Sequence, residues 1–237
     1  MAIFLVVWRQ YRVGVSYSHR RHSHMEFSGT FELEDATTEE VWLALSDPVM
    51  IEHALPGCEF LVAVDDTDPD FDALREEHAD RDVEPTSDPA VIAERAFEEG
   101  NHYAAIIGIS IGPVNPTFET VVTIDERDQP YMEASGEGSA GDSSFEMSSW
   151  MDLDEADDGV EVEWATEADV FGRIAQMGQR VINPAANQVV KRFFSSVQDE
   201  LREREIAEGG TVEQAQSDED GRGIVDRILG RSDGSKQ

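Results

Sequence analysis

The chain has 237 residues, of which 51 are acidic and 18 basic, so its formal net charge is −33; 40% of its residues are hydrophobic. This composition suits one domain with a hydrophobic core plus extensions. The acidity disfavours nucleic acid as a partner, because binding phosphates requires a basic patch. The single cysteine, Cys58, excludes an internal disulfide and CxxC metal or redox motifs, and it is typical of a reducing compartment.

The first 24 residues differ in charge from the rest of the chain. They contain no acidic residue and four arginines: Arg9, Arg12, Arg20 and Arg21. The apolar run at 3–8 is too short to span a bilayer, and its surroundings do not fit a signal peptide. We therefore predict that residues 1–24 are a dispensable extension or a mis-assigned start, with Met25 as the first residue of the domain.

One strand and two short helices are predicted next. Apolar residues alternate along 26–33, which indicates a strand. The stretch "DATTEEVWLALSDP" indicates a helix that is capped at Thr37 or Thr38, and Pro48 opens a second short helix. The turn at Pro56-Gly57 then leads into a strand at 58–64.

Residues 65–99 interrupt this pattern with a run of carboxylates and three prolines. Few of these residues are apolar, so the composition predicts an inserted, partly helical loop on the surface.

The second half of the chain predicts an antiparallel meander followed by a long helix. Period-two alternation indicates strands at 103–111, 117–124, 131–138, 144–153 and 159–170. Asn183-Pro184 then opens a helix to about Glu203, in which apolar residues recur three and four apart. Residues 205–237 predict a flexible acidic tail whose amphipathic stretch 222–231 could contact a membrane surface.

These elements together predict an α+β helix-grip fold. A curved antiparallel sheet wraps around the long C-terminal helix, with two short helices after the first strand, in a domain at 25–204. Such a sheet leaves an apolar pocket between itself and the helix.

Four stretches resemble the CoxG family of carbon monoxide dehydrogenase subunits, in the SRPBCC/START-like superfamily. They are "VWLALSDPVMIEHALPGCEFL" at 41–61, "YAAIIGISIGPVNPTFETVVTI" at 103–124, "SGEGSAG" at 135–141 and "ADVFGRIAQMGQRVINPAANQVVKRFF" at 168–194. The resemblance implies a helix-grip fold and a non-catalytic accessory role beside an aerobic molybdenum carbon monoxide dehydrogenase or a related hydroxylase. It also implies a hydrophobic ligand such as menaquinone or another lipid, and a cytoplasmic protein that aids recruitment of the dehydrogenase to the inner face of the membrane.

The candidates for lining the pocket are apolar or aromatic residues predicted to face inward. They are Tyr103, Ile107, Ile109, Phe118, Val122, Met147, Met151 and Trp164 on the sheet, and Val189, Phe193 and Val197 on the helix. Tyr103 and Thr120 are the polar groups predicted among the inward positions, which favours a binding protein over an enzyme and predicts neither catalytic residues nor a metal.

Two alternatives stay open at this stage. A small hydrolase or cyclase could act on a hydrophobic substrate in the same cavity, and a structural subunit could fill that cavity with its own side chains. No candidate base lies at a sequence spacing from Cys58 that would indicate a catalytic cysteine. We therefore interpret Cys58 as a small, half-buried residue beside a turn rather than a nucleophile.

The net charge predicts a fold that depends on salt, as in a halophilic cytoplasm. Many like charges on one domain repel one another, and the screening length falls to about 3 Å at 1 M salt. We expect a higher thermal midpoint at 3 M than at 0.1 M potassium chloride, measured by circular dichroism. Equal midpoints would contradict this prediction.

Overall fold

The computed structural model describes the backbone of residues 22–217 and the side chains of residues 22–203. Seven antiparallel strands form one sheet in the order β1-β7-β6-β5-β4-β3-β2. The strands are β1 (His22–Glu34), β2 (Cys58–Val64), β3 (His102–Gly108), β4 (Thr117–Asp128), β5 (Tyr131–Ala140), β6 (Ser143–Ala156) and β7 (Gly159–Phe171). The chain therefore runs as a meander from β2 to β7, and β1 closes the far edge beside β7.

Six helices accompany the sheet in this part of the chain. They are α1 (Thr38–Ser46), α2 (Pro48–Ala54), α3 (Phe71–Glu77), α4 (Pro89–Arg95), α5 (Gly172–Ala175) and α6 (Gln179–Ser217). The predicted helix-grip fold is confirmed: two short helices follow the first strand, and the long C-terminal helix contacts β1 and α2.

Local signals determine where α1 and α2 begin. The backbone N–H of Glu40 donates to Thr37 Oγ1, and the Glu40 carboxylate accepts from the backbone N–H of Thr37 at 2.8 Å, which completes a capping box. Asp47 caps α2, because its Oδ1 accepts from the backbone N–H of Val49 at 3.0 Å and Pro48 follows as the first helical residue.

Some strand boundaries differ from the sequence prediction. β1 begins at His22, which pairs with Phe171, so residues 22–24 belong to the strand. β3 ends at Gly108, and Ile109 therefore lies in the following loop instead of on the sheet. The rest of the predicted N-terminal extension, residues 1–21, lies outside the described residues, as does the amphipathic stretch 222–231.

The long helix starts earlier and ends later than predicted. Gly178 has a φ of +77°, which favours glycine, and α6 starts immediately after it. Pro184 lies inside the helix, where its missing N–H removes one hydrogen bond without ending the helix. The helix continues to Ser217, through part of the predicted flexible tail.

The acidic insert at 65–99 contributes to the core, so its interpretation as a surface loop was wrong in part. Ile92 on α4 is 2% exposed, and Phe97 is 8% exposed within the main hydrophobic cluster. The backbone N–H of Phe97 donates to the carbonyl of Ser46 at 2.8 Å, which fixes the end of the insert to α1. Two apolar side chains of this mostly polar segment are therefore buried in the domain.

Each arginine of the insert binds a carboxylate outside the insert. Arg75 contacts Glu119 on β4 at 3.3 Å, Arg81 contacts Glu52 on α2 at 3.1 Å, and Arg95 contacts Asp47 at 2.7 Å. The Asp47 side chain has no exposed surface, whereas the Arg75 and Glu119 side chains are each about two fifths exposed. These pairs therefore differ in how much water screens them.

This difference predicts unequal losses of stability. Arg95→Met leaves the buried Asp47 carboxylate without its cationic partner, which should lower the free energy of unfolding by about 3 kcal/mol. Arg75→Met breaks an exposed pair and should cost less than about 1 kcal/mol. Urea unfolding in concentrated salt measures both values. Similar losses for the two variants would show that the Asp47–Arg95 pair has no special structural role.

Candidate functional site

The inner face of the sheet packs against α6, and the inward-facing residues between them are here called the groove. Residues at one end of it pack tightly: Leu33, Val160, Val162 and Val197 are at most 1% exposed. Toward the middle, the inner positions of neighbouring strands are only partly buried. They are Val122 on β4, Ala134 on β5, Met147 and Met151 on β6, and Trp164 on β7. Side chains of this kind keep apolar area accessible in the centre of the fold.

Helix α6 contacts β1 at one edge of the sheet and α2 with the end of β3 near the other. The side-chain amide of Gln198 accepts from the backbone N–H of Glu34 at 2.7 Å and donates to the Glu34 carbonyl at 3.0 Å. Phe194 stacks on Phe31 with ring centroids 4.9 Å apart. Both contacts fasten the helix to β1, and the inner positions of the central strands remain only partly buried.

The structure brings seven of the predicted lining residues into one hydrophobic cluster. They are Tyr103, Ile107, Val122, Met151, Trp164, Phe193 and Val197. Phe118 and Ile109 belong to a second cluster near the start of α6. Met147 lies on the inner face between them, opposite Gly136, and Val189 lies beside Ile109 in a small cleft at the end of β3.

Glycines in β5 shape the inner face. Gly136 and Gly138 pair regularly with β4 and β6. A Cβ atom at Gly138 would lie 2.6 Å from the Phe145 ring and 2.8 Å from Thr120 Oγ1. The missing side chain therefore lets the Phe145 ring lie against the strand.

Polar groups on the inner face are few and mostly paired. The Tyr103 hydroxyl accepts from the backbone N–H of Glu98 at 3.1 Å, so it is already engaged. Ser149 and Thr166, which the sequence prediction did not include, share a hydrogen bond of 2.7 Å across β6 and β7. Thr120 Oγ1 is buried and has no hydrogen-bond partner among the residues described.

This arrangement offers apolar contact rather than acid–base chemistry. Away from the strand ends, the inner positions of the seven strands carry no carboxylate, histidine or basic side chain. Arg127, near the end of β4, lies over the Trp42 ring instead of in the centre of the groove. A general acid or base for catalysis would have to come from elsewhere. Within the described residues, no group of three or more potential ligands is arranged to hold a metal ion.

Cys58 lies at the start of β2 and faces the groove beside Ile107. Its Sγ donates to the carbonyl of Phe60 at 3.3 Å. Burial raises the pKa of the thiol to about 12, and the nearby Glu52 carboxylate acts in the same direction. The thiol is therefore neutral at physiological pH, as expected for a structural residue.

Comparisons with known proteins agree with this architecture. A sequence model of the carbon monoxide dehydrogenase CoxG family matches residues 95–202. A conserved protein from Geobacillus kaustophilus superimposes with a TM-score of 0.56 at 21% identity, over 76% of this chain and 96% of that protein. The Zhui aromatase/cyclase from Streptomyces sp. R1128 has a TM-score of 0.48 at 11% identity, over 77% and 95%. No curated protein matches the sequence.

The match confirms the resemblance to the CoxG family, and the Geobacillus structure confirms the fold. Among the helices of the described residues, none combines the length and apolar character needed to cross a bilayer.

The thiol environment predicts slow alkylation of Cys58. At pH 8, iodoacetamide should modify the native chain at least about a hundredfold more slowly than the urea-unfolded chain, because a raised pKa removes the reactive thiolate. Mass spectrometry over time measures both rates. Cys58→Ala should retain ligand binding and cost about 1–2 kcal/mol, as for a small truncation in a half-buried site. Rapid native alkylation would contradict the structural role.

Proposed function

We propose that this protein is a non-catalytic accessory protein of an aerobic molybdenum carbon monoxide dehydrogenase or a related hydroxylase. It binds a hydrophobic ligand, a quinone or another lipid, in the groove between the sheet and α6. The family match supports the accessory role. The partly exposed apolar centre of the inner face is the observation that supports ligand binding.

The chemistry of the groove favours binding over turnover. A long hydrocarbon chain gains roughly 0.8 kcal/mol for each methylene that it buries, so a few isoprene units or one acyl chain suffice for useful affinity. Catalysis would need ionisable groups placed among the apolar side chains, and the middle of the strands contributes none apart from the engaged phenol of Tyr103. A hydrolase or cyclase is therefore the weaker candidate.

The proposed role also includes delivery of the dehydrogenase, or of its electrons, to the membrane. A protein that carries a quinone or lipid has to exchange it with a bilayer, and the amphipathic stretch 222–231 is a candidate for that contact. Deleting the coding sequence from the native host tests this role. Carbon monoxide oxidation should then move from the membrane fraction to the cytosol. An unchanged distribution would contradict the recruitment function.

A substitution that fills the groove tests the ligand site. Ile107→Trp adds bulk beside Cys58 on the inner face, and we expect chains isolated from the native host to lose their quinone or lipid. Organic extraction followed by mass spectrometry measures ligand per mole of protein. If the wild-type chain yields no such ligand, the carrier function is wrong.

Two matched variants control for indirect effects. Val91→Trp adds the same bulk on α4, where the side chain is 41% exposed, and should leave the ligand in place. Thr120→Val removes the unpartnered buried hydroxyl with little change of shape and should also retain the ligand. Loss of ligand in Thr120→Val would instead indicate that this hydroxyl binds the ligand's polar group. The hydrolase hypothesis predicts that loss, together with turnover of an ester or thioester.

A further inference from the structure

Two adjoining clefts lie at the surface, between α6 and the segment that joins α2 to β2. The first, here called the mouth cleft, has a volume of about 150 Å³ and lies between Ile109 and Val189. The second, here called the donor cleft, has a volume of about 570 Å³ and lies between α2 and α6. Pro56, Gln188 and Arg192 line both clefts, so the two form one continuous surface.

Close backbone contact fixes the rim of the mouth cleft. The N–H of Gly108 donates to the carbonyl of Gly57 at 2.8 Å. Gly57 has a φ of +80°, and a Cβ atom there would lie 2.2 Å from the Gly108 carbonyl oxygen. The turn is therefore held against the end of β3, next to Ile107, and the mouth cleft opens beside the groove.

The donor cleft is lined by hydrogen-bond donors and contains no carboxylate among its lining residues. Its polar residues are His53, Gln188, Lys191, Arg192, Ser195 and Ser196. Gln188, Lys191, Arg192 and Ser195 follow one another at intervals of three and four, which places them on one face of α6. In a chain with 51 acidic and 18 basic residues, a cleft of this volume without an acid differs from the acidic surface around it.

The two cations of the donor cleft have no anionic partner. Neither Lys191 nor Arg192 forms an ion pair with any of the described residues, and both side chains are exposed. The Glu200 carboxylate contacts His53 Nε2 at 3.0 Å, so one acidic side chain adjoins a residue of the cleft. Among the other described arginines, those of the insert and Arg202 are paired, whereas Arg127, Arg173 and Arg180 form no ion pair within the described residues.

We propose that the donor cleft binds the anionic headgroup of an amphiphile, a phosphate or carboxylate, whose hydrocarbon chain enters the groove through the mouth cleft. The inference rests on the proposed ligand-binding function, and it selects an anionic lipid over a neutral quinone as the occupant. Lysine, arginine and hydroxyl donors match the oxygens of such a headgroup. Ile109 and Val189 then contact the first methylenes.

Screening explains how so acidic a protein can bind an anion. Repulsion from the whole surface acts over the Debye length, which is about 3 Å at 1 M salt. Contacts at hydrogen-bond distance between the headgroup and the donor cleft persist under those conditions. Binding should therefore be measured in concentrated salt, where the distant carboxylates are screened.

Decyl phosphate below its micelle-forming concentration and decanol below its solubility limit test the proposal on the full chain in 1 M sodium chloride. Isothermal titration calorimetry should give a dissociation constant for decyl phosphate at least about tenfold lower than for decanol. The double variant Lys191→Gln, Arg192→Gln should remove this difference and leave decanol binding unchanged. Lys191→Arg should preserve it, because the charge is retained.

The matched control removes two charges elsewhere. Arg173→Gln combined with Arg180→Gln changes two exposed arginines outside both clefts, and it should keep the preference for decyl phosphate. If the control loses the preference as well, overall charge rather than the donor cleft is responsible, and the proposal is wrong. Circular dichroism establishes that all variants are folded.

The remaining outcomes separate the headgroup site from the groove. Equal affinities for decyl phosphate and decanol would overturn the headgroup proposal and leave the hydrophobic groove intact. If inorganic phosphate binds as tightly as decyl phosphate, the alkyl chain adds nothing to the affinity. The proposal of an amphiphilic ligand is then wrong, and the donor cleft is a site for free phosphate. Failure of both decyl compounds to bind would overturn the headgroup proposal and the ligand groove together.

Discussion

The period-two alternation of seven antiparallel strands is the constraint on which the rest of this structure depends. Successive side chains point to opposite faces, so the sheet can carry carboxylates outside and apolar groups inside. On the outer face, Glu137 pairs with Glu146, which in turn pairs with Asp169. Like charges directly opposite each other destabilise a sheet. The inner face supplies the compensating apolar burial, and a one-residue slip of register would bury those acids.

Several cations of the described residues lie where segments join. Arg95 and Arg81 attach the insert to α1 and α2 through Asp47 and Glu52. Arg202 binds Glu34, next to the backbone hydrogen bonds of Gln198 that hold α6 on β1. Arg127 lies over the Trp42 ring, with its guanidinium carbon 5.2 Å from the centroid. Lys191 and Arg192 do not join segments in this way; they lie together at one cleft without an ion pair among the described residues.

The sequence was sufficient for the fold, because its signals are local. Alternation predicts the strands, and Thr37 and Pro48 predict the starts of two helices. The burial of Ile92 and Phe97 could not be inferred from a segment whose composition is dominated by acids, since it depends on contact with α1. Ile109 was misplaced because the end of β3 follows from its contact with the Gly57 turn, which is distant in sequence. Pro184 was predicted to start a helix, although the positive φ at Gly178 sets that start.

The sequence carries a signal for the inward-facing residues of the groove but none for the donor cleft. Apolar periodicity identifies which residues face inward, and seven of them do form one cluster. It cannot show which of them stay accessible, since that depends on where Gln198 fixes the long helix. The donor cleft had no sequence signal, because His53 and Lys191 come from different helices and each is an ordinary surface residue by itself.

The two parts of the site respond differently to the surrounding charge. Apolar contact in the groove is insensitive to the sign of the surface, so the outer face can vary in charge without changing it. The carboxylates of the chain instead repel an anionic headgroup at the donor cleft. The headgroup binds there only where salt screens those carboxylates or where they are distant. The segment 188–196 of α6 contains no carboxylate, so the nearest acidic side chains lie outside it in the sequence. The acidity of the chain therefore places the anion contact on α6, away from the outer face of the sheet.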